Sequence, residues 1–188
     1  MQQIIKSTSI ANDLAVVLSN TSHDKLFILT DENTELQCYS LISTLPKVEI
    51  AKRVVIPAND SNKTIENLTQ VWKFLSNNGA TRHSLLINLG GGMITDLGGF
   101  AAATYKRGIA YINIPTTLLG SVDASVGGKT GINFEGYKNE IGAFYPALHI
   151  IISAEFLNTL TQKRYSFGLC RNDKACFARF KKNLEQND

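Results

Sequence analysis

The chain has no long hydrophobic run. None of its apolar stretches approaches the ~20 residues that cross a bilayer, and its start, MQQIIKSTSI, contains no signal-peptide hydrophobic core. Cysteine is also scarce: Cys38, Cys170 and Cys176 are an odd number that cannot all pair with one another. These absences argue against a membrane-spanning or disulfide-stapled secreted protein, and we expect a reducing, cytoplasmic setting.

Excess charge is confined to the C-terminal end. Residues 163–188 carry seven Lys/Arg against three Asp/Glu, a net charge of +4, and the other 162 residues sum to −1. Because nucleic-acid-binding surfaces are strongly basic, we expect neither a nucleic-acid partner nor a membrane partner for the body of the chain. The hydrophobic content of 44% is that of an ordinary globular domain.

Apolar runs rich in β-branched residues alternate with helix-like segments. The runs predict short buried strands at Lys25–Thr30, Val54–Pro57, Ser84–Leu89, Tyr111–Ile114 and His149–Ile152. Apolar residues at helical spacing predict a helix over Thr64–Asn78, and small residues predict another over Ile94–Tyr105. Strands alternating with helices indicate an α/β fold with a mostly parallel sheet.

Glycine is concentrated in one segment, since 12 of the 14 glycines lie between Gly90 and Gly142. Gly90-Gly91-Gly92 follows a predicted strand and opens a predicted helix, where backbone N–H groups can face a pyrophosphate. The spacing is not G-x-G-x-x-G, so a tight turn without ligand is an equal alternative. Asp96 would either cap this helix or hold a nicotinamide ribose.

Charged residues follow the predicted strands and glycine turns. Asp31 stands at the carboxyl end of a strand, where it would hold the adenosine ribose or simply form an acidic turn. Asp123, Lys129, Lys138 and Asn139 lie within 17 positions of one another. Two lysines brought together by glycine turns favour an anion site over solvated loop charges.

Five segments carry a resemblance to the 3-dehydroquinate synthase family: VIPANDSNKTIENLTQVW, GGGMITDLGGFAAATYKRG, IPTTLLGSVDASVGGKTGIN, YKNEIGAF and EFLNTL. The resemblance covers about residues 25–165. It implies a Rossmann-like layered domain that binds NAD and belongs to a phosphate-eliminating lyase. The family converts 3-deoxy-arabino-heptulosonate 7-phosphate to 3-dehydroquinate in the shikimate pathway of aromatic amino acid biosynthesis. Full-length members are expected to be homodimers. Another sugar-phosphate cyclase, of aminocyclitol or valiolone type, and a non-catalytic nucleotide-binding domain are the alternatives.

The same resemblance assigns the site residues. It implies NAD contacts at Asp31, Asp60, Lys63, Gly91, Gly92, Met93, Ile94, Thr95, Asp96, Thr116, Thr117, Lys129, Lys138, Phe156, Leu157, Asn158 and Thr159. It implies substrate and phosphate contacts at Asp123, Lys129, Lys138 and Asn139, with Arg107 reaching the site of a neighbouring subunit. Four positions depart from the family pattern: Asp60 replaces a Glu, Thr95 and Tyr137 replace glycines, and Ser153 replaces an Asp.

The likeness ends shortly after Leu160. The family continues with a segment like SGFAEMIKH and a helical domain whose histidines bind zinc or cobalt, whereas Arg171 stands where a metal-binding Glu is expected. One set of synonymous codons for residues 167–188, read one nucleotide later, encodes SGFAEMIKHALLDSKKTWNKM. We therefore expect an NAD-binding domain over residues 1–160 and an aberrant, frameshifted and disordered tail over 161–188.

A chain truncated in this way would lack both the helical domain and the metal ligands of the family. We therefore expect it to be inactive as a cyclase. The competing interpretation is a metal or RNA module built on Cys170, Cys176 and the basic run. C-x5-C without a nearby His is a poor zinc pattern, so the frameshift hypothesis is preferred.

Overall fold

A computed structural model describes residues 2–121 and 127–159. The predictions for Asp123 and for the tail from residue 160 onward lie outside these described residues. The described strands are β1 Gln3–Ser7, β2 Leu26–Asp31, β3 Lys52–Ile56, β4 Leu85–Gly90, β5 Ala110–Pro115, β6 Lys129–Phe134, β7 Tyr137–Phe144 and β8 His149–Ser153. The described α-helices are α1 Ile10–Asn20, α2 Glu32–Gln37, α3 Pro46–Glu49, α4 Ile65–Asn77 and α5 Gly92–Thr104.

Six strands form one parallel sheet in the order β1-β8-β5-β4-β2-β3. At its centre β4 and β5 run side by side from Leu85 opposite Ala110 to Gly90 opposite Pro115. The parallel α/β architecture predicted from the alternating pattern is therefore confirmed. No described helix is long and apolar enough to cross a membrane.

Apolar side chains project from both faces of the sheet. Phe27 and Leu29 pack with Leu68, Val71 and Leu75 of α4 and with Leu97 of α5. The residue between them, Ile28, packs on the opposite face with Ile10, Leu14 and Leu18 of α1. Successive residues of a strand point to opposite faces, so a continuous apolar run is what a doubly covered parallel strand requires.

A hairpin formed by β6 and β7 lies outside the main sheet, against α5. Its two-residue turn, Glu135-Gly136, has positive φ at both positions, as a tight hairpin turn demands. Gly99 of α5 allows the close approach, because a Cβ there would lie 2.5 Å from Thr130 Cγ2. The helix is therefore enclosed between the sheet and the hairpin.

Several local predictions need correction. Helix α5 begins at Gly92 with Gly91 as its N-cap, so Asp96 lies beyond the first turn and is not a cap. The segment expected to be glycine turns between Lys129 and Lys138 is instead the hairpin, and both lysines lie on its strands. Strand β1 and helix α1 were not predicted. The five predicted strands and two predicted helices are confirmed with small shifts of their ends.

Candidate functional site

A cavity of about 780 Å³ opens between the hairpin, the start of α5 and the loop that follows β3. Both β3 and β4 end here, at the carboxyl edge of the sheet where open α/β folds bind ligands. The volume suits a small-molecule or cofactor site. The cavity is lined by Asp60, Lys63, Gly92, Met93, Asp96, Leu119, Lys129, Thr130, Gly131, Lys138, Asn139, Gly142, Ala143 and Phe144.

Lys63 is the charged centre of this cavity. Its side chain is only 4% exposed, and its Nζ lies 2.9 Å from Asp96 Oδ2 and 3.9 Å from Asp60 Oδ1. The same ammonium donates a hydrogen bond to Asn139 Oδ1. A buried ammonium is tolerated only where opposite charge and acceptors surround it, so these three partners hold Lys63 in place.

A second ion pair lies at the cavity mouth. Lys138 Nζ is 2.7 Å from Asp60 Oδ2, but the two side chains are 75% and 46% exposed. Exposed pairs contribute about 0–1 kcal/mol, so a ligand can displace this contact at little cost. The cavity therefore combines a fixed inner cation with an exchangeable outer one.

The amino end of α5 faces the same space through Gly92 and Met93. The N-cap Gly91 makes no side-chain capping bond, and a Cβ at that position would lie 3.0 Å from Thr117 Cγ2. The first turn of a helix carries positive dipole charge and outward N–H groups. Glycine at the N-cap thus lets Thr117 pack against the start of the helix, and the positive end of the helix suits a phosphate-bearing ligand.

A separate polar cluster surrounds Cys38. Its Sγ lies 3.4 Å from Thr159 Oγ1. Burial raises the pKa of the Cys38 thiol and the charge of Asp31 raises it further, while hydrogen bonds with Thr159 and Thr116 act in the opposite direction. Three predicted cofactor residues are therefore gathered around one buried thiol: Asp31 at the end of β2, Thr116 directly after β5, and Thr159 at the end of the 3-10 helix that follows β8.

Asp31 has a structural role at the start of a helix and does not lie in the acidic turn of the alternative interpretation. It caps α2 by accepting hydrogen bonds from the N–H groups of Asn33, at 2.9 Å, and Thr34, at 3.0 Å. Both bonds end on Oδ1, so capping does not itself occupy the second carboxylate oxygen. Its assignment to a ribose stays a prediction.

Other predicted residues do not present side chains to the cavity. Ile94, Thr95 and Phe156 are buried in the interior, and Phe156 belongs to the apolar layer that contains α1. These residues can serve a ligand only through their backbone or by packing. Leu157 and Asn158 follow Phe156 in a short 3-10 helix after β8.

Arg107 lies beyond the far end of α5, in the 3-10 helix Tyr105–Arg107. It is exposed, and with Arg82 and Lys106 it lines a small basic cavity of about 320 Å³. The 13 residues of α5 span roughly 20 Å, so Arg107 is distant from the main cavity of its own chain. This placement is compatible with the expected reach into a neighbouring subunit, which stays a prediction.

The residues described here do not assemble a metal site. No group of three or more His, Cys, Asp or Glu side chains in residues 2–121 and 127–159 is arranged to hold a metal ion. Arg171, at the position where the family pattern has a metal-binding Glu, lies outside these ranges.

Sequence reasoning also missed cavity residues. Phe144, directly opposite Lys129 in the hairpin, and Leu119 line the cavity, but their side chains are apolar and uncharged. Asn133, which joins the hairpin to the Asp60–Lys63 loop, was missed as well. The sequence signal that could have found Asn133 is its place in the segment TGIN, between the buried Ile132 and the hairpin turn.

Comparison with known proteins identifies the family. Residues 53–167 match the family described as 3-dehydroquinate synthase N-terminal. The 3-dehydroquinate synthase of Parabacteroides distasonis is 55% identical over 167 residues, which are 89% of this chain and 47% of that protein. That of Clostridium tetani is 43% identical over 148 residues, which are 79% of this chain and 40% of that protein.

Solved structures agree on the architecture. 2-Epi-5-epi-valiolone synthase from Streptomyces hygroscopicus, with NAD+ and Zn2+ bound, superposes with a TM-score of 0.80 at 30% identity, covering 90% of this chain and 47% of that one. 2-Deoxy-scyllo-inosose synthase, complexed with carbaglucose-6-phosphate, NAD+ and Co2+, gives 0.74 at 21% identity, covering 92% and 49%, and supports the fold alone. The chain spans about half the length of the relatives it matches. It belongs to the 3-dehydroquinate synthase family.

Proposed function

We propose that this chain supplies the NAD-binding half of a 3-dehydroquinate synthase. The complete enzyme would cyclise 3-deoxy-arabino-heptulosonate 7-phosphate to 3-dehydroquinate and release phosphate, in the shikimate pathway. The observation that carries the proposal is the buried Lys63, held between Asp96 and Asn139 at the carboxyl edge of a parallel sheet. The 55% identity to a 3-dehydroquinate synthase supports this substrate over those of related cyclases.

NAD fits the residues that are present. The glycine N-cap of α5 offers N–H groups and positive dipole charge to a pyrophosphate, and the carboxylates of Asp31 and Asp96 suit ribose hydroxyls. When bound, NAD would supply a hydride acceptor for transient oxidation of a substrate hydroxyl. The protein's part is to hold the cofactor, and Thr116, Thr117 and residues 156–159 would complete that cradle.

Substrate binding falls to the hairpin side of the cavity. Lys129 and Lys138 would place two ammonium groups beside a phosphate, and Asn139 would fix the orientation of a substrate hydroxyl. Lys138 can leave Asp60 for a phosphate, since the pair is exposed. Asp123, the fourth member of this set, lies outside the described residues.

For the 188-residue polypeptide we propose NAD binding without cyclisation. The full-length family would use zinc or cobalt, and the described residues do not fit such an ion. We also propose that the full-length enzyme is a cytoplasmic homodimer, with Arg107 contributed across the interface. The residues from 161 onward would be the aberrant, frameshifted tail.

The test is calorimetric titration of the purified chain with NAD, beside the Lys63→Met variant. We expect saturable binding by the wild type and a loss of at least about tenfold in the variant, because one charged contact is worth roughly 1.5–3 kcal/mol. A folded wild-type sample that shows no binding at millimolar NAD would overturn the proposal. Phosphate release from the seven-carbon substrate by this polypeptide, with zinc or cobalt added, would overturn the claim of inactivity.

A second candidate is a cyclase of the valiolone or aminocyclitol type, favoured by the TM-score of 0.80 to 2-epi-5-epi-valiolone synthase. A full-length protein carrying this domain should be assayed on the candidate sugar phosphates. Turnover of the 3-dehydroquinate synthase substrate alone would support the first proposal. Turnover of another sugar phosphate would favour the second candidate, and turnover of none would indicate a non-catalytic nucleotide-binding protein.

A further inference from the structure

The β6–β7 hairpin has an irregular register at the cavity. Ile132 faces Ile141, and Phe134 faces Tyr137. Between these two pairs β6 contributes one residue, Asn133, while β7 contributes three. The middle one of the three, Asn139, has φ of 54°, in the left-handed region. Asparagine adopts this conformation more readily than most non-glycine residues, and the contacts around it fix the choice.

Asn133 supplies those contacts with three hydrogen bonds. Its side-chain Oδ1 accepts from Asn139 N at 3.0 Å, and its Nδ2 donates to the carbonyl oxygen of Asp60 at 2.9 Å. Its backbone N–H donates to the carbonyl oxygen of Lys63 at 2.8 Å. One residue therefore joins the irregular turn of β7 to the loop that carries the charged centre of the cavity.

The consequence reaches Lys63 through Asn139. The Asn139 side chain accepts a hydrogen bond from Lys63 Nζ, which also pairs with Asp96. We propose that Asn133 is a positioning residue for the NAD site, one that fixes Asn139 and the Asp60–Lys63 loop as a single rigid wall. This inference rests on the function proposed above, since it assigns a supporting residue to the same site.

The chemistry of this position requires an amide. Alanine removes both side-chain bonds. An ionised aspartate retains an acceptor for Asn139 N but turns a negative oxygen toward the Asp60 carbonyl. A protonated aspartate, however, again offers one donor and one acceptor. An Asn133→Asp variant should therefore regain function as pH falls, whereas an Asn133→Ala variant should not.

Two measurements on the full chain test the proposal. The first is amide hydrogen exchange at Asn139, an exposed residue whose N–H is protected by Asn133. We expect exchange at least about tenfold faster in Asn133→Ala, the effect of losing one hydrogen bond. The second is NAD titration between pH 4 and pH 8 for the wild type and both variants, because an aspartate carboxyl takes up its proton at about pH 4. We expect about tenfold weaker binding in both at pH 8, with recovery at low pH, relative to the wild type, only in Asn133→Asp.

The control is Asn78→Asp, at a partly buried asparagine at the end of α4 whose Nδ2 donates to Phe74 O at 2.9 Å. It should change stability but neither readout. Unchanged Asn139 exchange in Asn133→Ala would overturn the proposal, as would equal NAD binding by all proteins or the same pH profile in both Asn133 variants. The exchange measurement needs no cofactor. If the wild type does not bind NAD, the proposed function is wrong, but the exchange rate of Asn139 still tests the role of Asn133.

Discussion

The parallel sheet and the hairpin differ in what holds them. The sheet is held by many interchangeable apolar contacts, with Phe27, Leu86 and Leu97 fully buried between layers. The wall formed by the hairpin is positioned by a few specific polar bonds, from Asn133, Asn139 and Lys63, beside its packing on α5. Apolar burial thus determines the scaffold, and directional bonds determine the site.

The comparison predicts that a core truncation lowers stability without changing the site. Leu75→Ala removes a fully buried side chain of α4 on the sheet side. We expect a loss of about 2–5 kcal/mol in the free energy of unfolding, because the side chain leaves a cavity. Urea unfolding measures the loss, and NAD titration at a temperature where the variant stays folded should show wild-type affinity.

Its matched control is Leu36→Ala, at an exposed leucine of α2. That change should stay within about 0.5 kcal/mol. Weakened NAD binding in folded Leu75→Ala would contradict the separation between scaffold and site.

At Lys63, unlike Leu75, we expect both stability and NAD binding to change. Lys63→Met keeps the length of the side chain but leaves Asp96, whose side chain is 20% exposed, without its 2.9 Å cation. We expect a loss of about 1–3 kcal/mol in stability, less than for a fully buried pair, together with loss of NAD binding. Urea unfolding and calorimetry measure the two effects.

Lys138→Met is the comparison variant, because it removes a lysine from the exposed pair with Asp60. Its stability should change by less than about 1 kcal/mol. Equal destabilisation by the two lysine variants would show that burial does not separate the inner pair from the outer one.

The difference between apolar burial in the sheet and specific polar bonds in the hairpin wall also explains what could be predicted from the sequence. Apolar runs such as Leu85–Gly90 must be buried on both faces, so five strands and the parallel sheet followed from local pattern alone. Strand β1 was missed because its sequence, QIIKS, has only two apolar residues, of which Ile4 is exposed, and it pairs with β8 far along the chain.

The hairpin was missed for another reason. The segment between Lys129 and Lys138 was expected to consist of glycine turns, yet Gly131 lies in β6 opposite Gly142 of β7, where the backbones come close. A Cβ at Gly142 would lie 2.1 Å from the carbonyl oxygen of Thr130. Composition does not distinguish a glycine that turns the chain from one that admits a neighbouring backbone. The burial of Lys63 was equally inaccessible, since it depends on partners 33 and 76 positions away.

A smaller effect is expected where the scaffold itself relies on one polar contact. Glu155 Oε1 accepts a hydrogen bond from Ile10 N at 2.7 Å and so caps α1, whose own N-cap Ser9 makes no side-chain bond. Glu155→Ala should lower stability by about 1 kcal/mol, the usual value of a helix cap, and leave NAD affinity unchanged. Ser19→Ala, on the exposed face near the end of α1, is the control, and an equal loss in both would contradict the capping role.

The smallest expected effect lies at Cys38, which belongs to both regions: its side chain packs with α1, and its thiol contacts Thr159. Burial, and then Asp31, raises the pKa of this thiol above its ordinary value, although hydrogen bonds with Thr159 and Thr116 offset part of the rise. Below the ordinary thiol pKa, about 8.5, both folded and unfolded chains keep the proton and stability is unaffected. As pH rises through that value the unfolded chain loses the proton first, so the free energy of unfolding falls until the folded thiol ionises too.

Cys38→Ser lacks this contribution, while every other titrating group is shared with the wild type. We therefore expect urea unfolding of both proteins from pH 7 to pH 9.5 to show a constant stability difference at the lower pH values. Above about pH 8.5 the free energy of unfolding of the wild type should fall relative to that of Cys38→Ser. A difference that stays constant with pH would mean that the thiol is not held protonated by its surroundings.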